Sequence, residues 1–306
     1  MRFLLDTFGR YQFVYPPISS SFVSIMYNLY KWLVVLLYGH SELERIMVKN
    51  SFGFARTVKI EKSFQLSDNI MIRDGLYSLP LPKYAALVFH EECVANSTLS
   101  VDFKQSVIQI RGYRNLVARA DALKNSRFSI DDEAHVLLLQ DIWNSMLPDE
   151  PFSLKSKRWS DIGFQGSCPA TDFRGMGVLG AENLRTCSQR LLFFVAPSGV
   201  IKTQLSVLLR YPFATVGINL SGLLWRLLQD GTLKTHFYNS LKAAPKLVHL
   251  NLVYVYLFVK FNEFWTQQPR DIMQFNVLLG TFEEVIRKQM RDENSTLPLP
   301  HSGLCF

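Results

Sequence analysis

Apolar residues recur along this chain at three- and four-residue intervals, with no convincing run of the two-residue alternation that marks a half-buried strand. Val253, Leu257, Phe261 and Phe264 form one such stripe within 246–264; Ala134, Leu137, Leu138, Ile142 and Met146 form another before Pro148 stops it. Helices are also expected over 41–50, 84–94, 101–120, 213–229 and 272–291. In the last, Glu283 and Glu284 stand four residues before Arg287 and Lys288, a favourable spacing for helix ion pairs. Ser41, with Glu44 three residues on, spells a capping box. Ser129 is expected to open the 129–146 helix by accepting from the Asp132 N–H, with acidic residues suited to the positive end. Within 101–120, Val107, Ile108, Ile110 and Val117 supply an inner face, although Gly112 weakens the pattern. The stretch between 50 and 78 is mixed, and Leu79-Pro80-Leu81-Pro82 breaks the chain. The pattern predicts an all-α fold, organised as an N-terminal helical region (1–128), a main domain (129–292) and a flexible tail (293–306).

Residues 22–38 are the most apolar stretch near the N-terminus, with one charge, Lys31. Seventeen residues lie at the lower limit for spanning a bilayer. Phe22, Ile25, Met26, Leu29 and Leu33 share one helical face, while Ser24, Asn28 and Lys31 lie opposite. Three readings stand: a helix docked on the core, an interfacial membrane helix, or a signal anchor. No small-residue cleavage site follows Tyr38. The apolar helix at 246–264 carries His249, Asn251, Lys260 and Glu263 and reads as a core helix rather than a membrane span.

Composition narrows the function. Of 306 residues 48% are hydrophobic, which excludes a disordered chain, and the formal charge of +7 comes without any basic run or aromatic-interleaved basic stripe. Nucleic acid is therefore not the expected partner; a weakly anionic membrane or acidic protein surface fits better. Cys93, Cys168, Cys187 and Cys305 are widely spaced, without a zinc pattern or disulfide framework, which suits a reducing cytoplasm. His90-Glu91-Glu92-Cys93 lacks the second histidine a metal helix needs, so no metal site is expected.

The segment 159–184, WSDIGFQGSCPATDFRGMGVLGAENL, departs most from ordinary helix. It holds five glycines, three aromatics, one proline and a single arginine, Arg174, which its apolar neighbours make look buried. Such a mixture describes a loop with unusual backbone dihedrals. Gly175, Gly177 and Gly180 match G-x-G-x-x-G, but no apolar strand precedes them and no acidic residue follows some twenty positions on, so a dinucleotide site is excluded. There is no Walker A sequence and no hydrolytic triad. Arg174 has two readings on its chemistry alone: it ties the loop to nearby carbonyls, or it projects a charge toward a partner. Asp172 is placed to orient it by an ion pair, and Thr171 or Asp172 to cap a helix beginning near Gly175. Gly163, Gly166, Gly175, Gly177 and Gly180 would allow close approach of a partner.

These residues resemble the signature of the ELMO-domain family. The resemblance is carried by Trp159, the run Ile162 to Gly166, Pro169, the run Thr171 to Gly177, and Leu179-Gly180. Tyr211-Pro212-Phe213-Ala214 with Gly217-Ile218-Asn219-Leu220 resembles its second motif, Asp271 to Phe275 its C-terminal motif, and Glu42 to Ile46 the N-terminal region of the short arginine-bearing subfamily. The resemblance implies an all-α activator of Arf and Arf-like small GTPases. In that reading Arg174 acts in trans on a GTP-loaded partner. Trp159, Gly163, Gln165, Gly166, Thr171, Asp172, Gly175, Gly177 and Asn219 support it or touch the partner, with Gln165 and Asp172 positioning the arginine. The chain itself takes no cofactor; GTP and magnesium come with the GTPase. The larger scaffolds of the family generally lack this arginine. The resemblance equally admits a silent adaptor for a GTP-loaded GTPase at a membrane, or a scaffold anchored through 22–38. Ser167-Cys168, Ala181 and Thr186-Cys187 depart from the usual pattern.

Overall fold

The computed structural model describes residues 4–5, 11–12, 26, 29–30, 33, 36–37, 40–50, 52–92, 94, 97–195, 211–267 and 271–298. It is all-α apart from one short antiparallel pair, Leu4–Leu5 with Tyr11–Gln12. The chain divides into two compact units, one of residues 1–51 and 67–104, the other of 52–66 and 105–306.

In the first unit α1 (Glu42–Lys49) starts as its sequence dictates. Ser41 Oγ accepts from the Glu44 N–H at 3.2 Å, and Glu44 Oε2 accepts from the Ser41 N–H at 3.0 Å. After α2 (Phe54–Gln65), which belongs to the second unit, α3 (Ile70–Ser78) and α4 (Leu81–Glu91) form a hairpin. The Leu-Pro-Leu-Pro stretch is its corner: Pro82 sits in the first turn of α4, where a missing N–H costs nothing. Fully buried Tyr84 donates to the Ile72 carbonyl at 3.0 Å, holding the two helices together. Most of the expected helix at 22–38 lies outside the described residues; of it, Met26, Leu29, Tyr30, Leu33, Leu36 and Leu37 are helical and exposed. No helix among the described residues is long and apolar enough to cross a membrane.

The second unit is a helical bundle. The long α5 (Ser100–Asn125) enters it at residue 105, and Gly112 is there because a Cβ would fall 2.6–2.7 Å from Ala244 and Pro245. Next comes α6 (Glu133–Met146), which starts later than expected. Asp132, not Ser129, is its cap, accepting from the Ala134 N–H at 2.9 Å, while Ser129 Oγ turns to Asp131. The stripe rotates with it: Leu138, Leu139, Ile142, Trp143 and Met146 are buried, whereas Ala134 and Leu137 are exposed.

At the centre lies α8 (Gly177–Val195), packed against α6, α9 (Phe213–Gln229) and α11 (Leu247–Thr266). Leu184, Leu220, Leu224, Val253, Leu257 and Phe258 are fully buried between them. Gly217 lets α9 come this close, since a Cβ would lie 2.4 Å from Leu184 Cδ2 and 2.7 Å from Tyr254 Oη. α10 (Lys234–Ser240) rests on α2, and α12 (Phe275–Met290) follows a 3-10 turn at Ile272–Gln274. Glu283 meets Arg287 as spaced, at 2.7 and 3.0 Å, and also takes Arg226 of α9 at 2.6 Å. The segment after α12, expected as a loose tail, is held as far as Leu297. Asn239 donates to the Glu293 and Ser295 carbonyls at 2.8 and 3.1 Å, and the Leu297 N–H donates to buried His236 Nδ1 at 3.1 Å.

Candidate functional site

The Arg174 loop stands on a chain of aromatic rings. Trp159 opens the one-turn helix α7 (Trp159–Ile162), is fully buried, and donates from Nε1 to the Ser153 carbonyl at 3.0 Å. Its ring meets Trp143 at 4.7 Å and Phe164 at 5.3 Å, edge to face; Phe164 meets Phe173 at 5.8 Å, and Phe173 meets Phe128 at 4.8 Å. Each pair anchors a different part of the loop, so the segment is irregular in backbone yet fixed in place.

Gly163 ends α7 in the left-handed region, φ +96°, with the Phe164 N–H reaching back to the Trp159 carbonyl at 3.1 Å. A Cβ there would lie 2.7 Å from Pro212 and Phe213 backbone atoms, because the Gly163 carbonyl accepts from the N–H and Oγ1 of Thr215 in the first turn of α9, at 3.3 and 2.8 Å. The loop is pinned again at Gly177, φ +51°, where a Cβ would fall 2.3 Å from the Lys124 carbonyl and 2.4 Å from that of Ser126. The Val178 N–H donates to the same Ser126 carbonyl at 3.2 Å. The first turn of α8 thus rests on the end of α5, and the expected cap from Thr171 or Asp172 is not made.

Between these pins runs a 3-10 segment, Pro169–Gly175. Asp172 Oδ2 accepts from the Gln165 N–H at 2.7 Å, and its other oxygen lies 3.3 Å from Thr171 Oγ1. The expected ion pair from Asp172 to Arg174 is absent, because the carboxylate is engaged in closing the loop. Arg174 is exposed rather than buried, and its Nε donates to the Thr171 carbonyl at 2.8 Å. That single bond orients the guanidinium while its two terminal nitrogens carry no ion pair among the described residues. Arg158 shows the contrast: it is paired with Glu150 at 3.0 Å and Asp161 at 2.6 Å.

Two open depressions meet at Arg174. One, about 280 Å³, is lined by Gln165, Asp172, Gly175, Thr215 and Asn219. The other, about 480 Å³, is lined by Lys124, Ser126, Arg127, Phe128 and Thr171. Asn219, half-buried on α9, is therefore brought to the site from forty-five positions away, its Nδ2 donating to the Thr215 carbonyl at 2.8 Å. The second motif is fastened from behind: Tyr254 donates to the Gly217 carbonyl at 2.9 Å, and burial raises its phenol well above the ordinary range, keeping the proton on the donor.

The glycines separate. Gly163 and Gly177 serve internal packing, and at Gly180 a Cβ would meet Phe173 and Met176 at 3.0–3.3 Å; only Gly166 and Gly175 of the five face open space. Thr215, Lys124 and Arg127 were not expected here. Thr215 follows directly on the Tyr-Pro-Phe-Ala motif, which was its one available signal. Lys124 and Arg127 flank an ordinary helix end and carried none.

A helical bundle bearing an arginine loop on aromatic supports defines the class, and the chain belongs to the ELMO/CED-12 family, whose profile matches residues 118–279. It is similar to ELMO domain-containing protein 1 of Mus musculus, 33% identical over 302 residues and covering 92% of each chain. It is also similar to ELMO domain-containing protein 2 of Homo sapiens, 32% identical over 276 residues, 88% of this chain and 93% of that one. No solved structure matches it.

Proposed function

We propose that the chain is a GTPase-activating protein for an Arf-family small GTPase, with Arg174 inserted into the partner's nucleotide site. The observation that carries this reading is the state of that side chain. It is exposed, its Nε donates to the Thr171 carbonyl, its terminal nitrogens carry no ion pair among the described residues, and it lines both depressions. GTP hydrolysis on small GTPases is slow because charge growing on the phosphoryl oxygens is incompletely neutralised; a guanidinium delivered in trans completes that neutralisation. Its planar fork reaches two oxygens at once, which lysine does not.

The surrounding residues act on the arginine indirectly. Thr171 supplies the carbonyl that aims it. Asp172 and Gln165 close the loop that carries Thr171, rather than touching the guanidinium. Gly175 and Gly166 leave room for a partner surface, and Trp159, Gly163 and Gly177 fix the loop against the bundle. Asn219 and Gln165 offer amides beside the arginine. The GTP and magnesium belong to the partner, and the reaction takes place in the cytoplasm, at a membrane where the GTPase sits; residues 22–38 are a candidate peripheral contact with it. The unit that carries the site is that of residues 52–66 and 105–306.

The test is single-turnover GTP hydrolysis on a panel of purified Arf and Arf-like GTPases with wild type and Arg174→Lys. Acceleration that collapses in the variant supports the finger. Equal acceleration by both moves catalysis elsewhere, and binding without acceleration makes the protein an adaptor for a GTP-loaded GTPase.

A further inference from the structure

The two depressions at Arg174 differ in charge. Around the larger one stand Lys124, Arg127 and Arg174, and no Asp or Glu lines it. Arg127 is exposed and has no ion pair among the described residues. Lys124 is half-buried, its ammonium held 4.5 Å over the Trp225 ring, a contact that restrains the side chain while leaving its charge uncancelled. The nearest carboxylate along the helix, Asp121, is occupied by Trp225 Nε1 at 2.6 Å and by Gln229. Across Arg174 the smaller depression presents amides and Asp172, which is bound to the Gln165 N–H. Beyond Gly163, Asp161 is matched by Arg158. Charge therefore runs in one direction across the site, from an end lined by Lys124, Arg127 and Arg174 to one that carries the Asp172 carboxylate.

We propose that Lys124 and Arg127 form a docking rim that receives an acidic surface of the GTPase partner beside its nucleotide and so sets the orientation in which Arg174 enters. The inference rests on the GTPase-activating reading. Exposed charges of one sign at the edge of an interface steer encounter and fix register more than they deepen the final complex. The rim accordingly governs KM and its salt dependence, while Arg174 governs kcat. It also supplies a selection among related GTPases, favouring those with carboxylates next to the nucleotide and rejecting those with lysines there.

The experiment measures stimulated hydrolysis on the GTPase that wild type activates, at three salt concentrations, with Arg127→Glu, the pair Lys124→Glu/Arg127→Glu, and Arg174→Ala. Arg127 lies on an exposed loop, so its single reversal tests the charge even where Lys124→Glu disturbs the end of α5; thermal unfolding checks each variant. The expected result is a KM raised about tenfold in the pair and about threefold in Arg127→Glu, with kcat within about twofold and a shallower salt dependence. An unchanged KM and salt slope beside an inactive Arg174→Ala overturns the rim and leaves the finger standing. Full activity of Arg174→Ala overturns the finger reading itself, and so does a panel on which no GTPase is stimulated or bound; the rim falls with it in either case. A fourth outcome also overturns the rim: sedimentation with phosphatidylserine and phosphoinositide vesicles that the pair abolishes while KM stays at the wild-type value makes these residues a membrane contact.

Discussion

Two arginines at either end of the same segment are treated in opposite ways. Arg158 meets two carboxylates, Glu150 and Asp161, and is consumed by the fold. Arg174 has its one neighbouring carboxylate, Asp172, turned away from it onto the Gln165 N–H. Among the described residues it keeps only the hydrogen bond to the Thr171 carbonyl. Both are exposed, both sit near acidic residues in sequence, and only backbone geometry separates them. An exposed ion pair is worth little to stability, so leaving Arg174 without a carboxylate costs the fold almost nothing and leaves its charge uncancelled.

The largest expected effect breaks the comparison at Arg174. Arg174→Lys should lower single-turnover stimulation by roughly 10³-fold or more, within the range an inserted arginine contributes. Its thermal midpoint should stay close to wild type, while Arg158→Lys leaves the rate unchanged. A rate loss in both variants, or in neither, removes the distinction. A second break lies at the pins. Gly163→Ala and Gly177→Ala each force a side chain into the left-handed region and against backbone atoms 2.3–2.7 Å away. Each should cost about 2–4 kcal/mol, read as a drop of roughly 5–15 °C in Tm. A wild-type Tm in either would mean that the pins are not fixed as described.

A third expectation concerns the held C-terminal segment rather than the loop. His236 is fully buried, and burial, with His249 adding to it, lowers its pKa to about 4. Above about pH 6.5 the ring is neutral in folded and unfolded chains alike, and it contributes no pH dependence. Between about 6.5 and 4 only the unfolded chain takes up the proton, so stability falls as pH falls, by up to about 3 kcal/mol at the lower end. Urea midpoints across this window should show that slope in the full chain, and His236→Gln should flatten it. A slope that survives the substitution assigns it to other groups, such as Glu283. Burial raises the Glu283 pKa, but the hydrogen bonds from Arg226 and Arg287 outweigh that and hold it low.

How much of this was readable in advance followed from the range of the interactions. Helices with local signals were legible: the Ser41–Glu44 box, the 246–264 stripe, the Glu283–Arg287 pair. Where two caps competed within four residues, as at Ser129 and Asp132, the choice depended on Asp131 drawing the serine hydroxyl, and the start moved. The mixed stretch from 50 to 78 holds α2 and α3, whose apolar faces match partners distant in sequence. The tail shows the same limit, since Asn239 and His236 fasten it from more than fifty residues away. At the site, Trp159, Gly163 and Arg174 stood out by composition. The role of Asp172 was misjudged because proximity to Arg174 in sequence suggested a pair that the 3-10 turn does not make. Lys124 and Arg127 were invisible because only the contact between α5 and the start of α8 brings them there.

The smallest expected effect on the fold sharpens the comparison most. Gly175 follows Arg174, has no atom within 4 Å of where a Cβ would stand, and does not adopt a positive φ. Gly175→Ala should therefore change stability by no more than about 0.5 kcal/mol, and restricting the unfolded backbone makes a slight gain as reasonable as a loss. If the glycine is there for a partner to approach the arginine, the same substitution should still raise KM for the GTPase several-fold. Stability and activity then part at one methyl group, which a purely structural glycine cannot produce. If Gly175→Ala leaves both Tm and KM at wild-type values, the open space beside Arg174 is not an approach path.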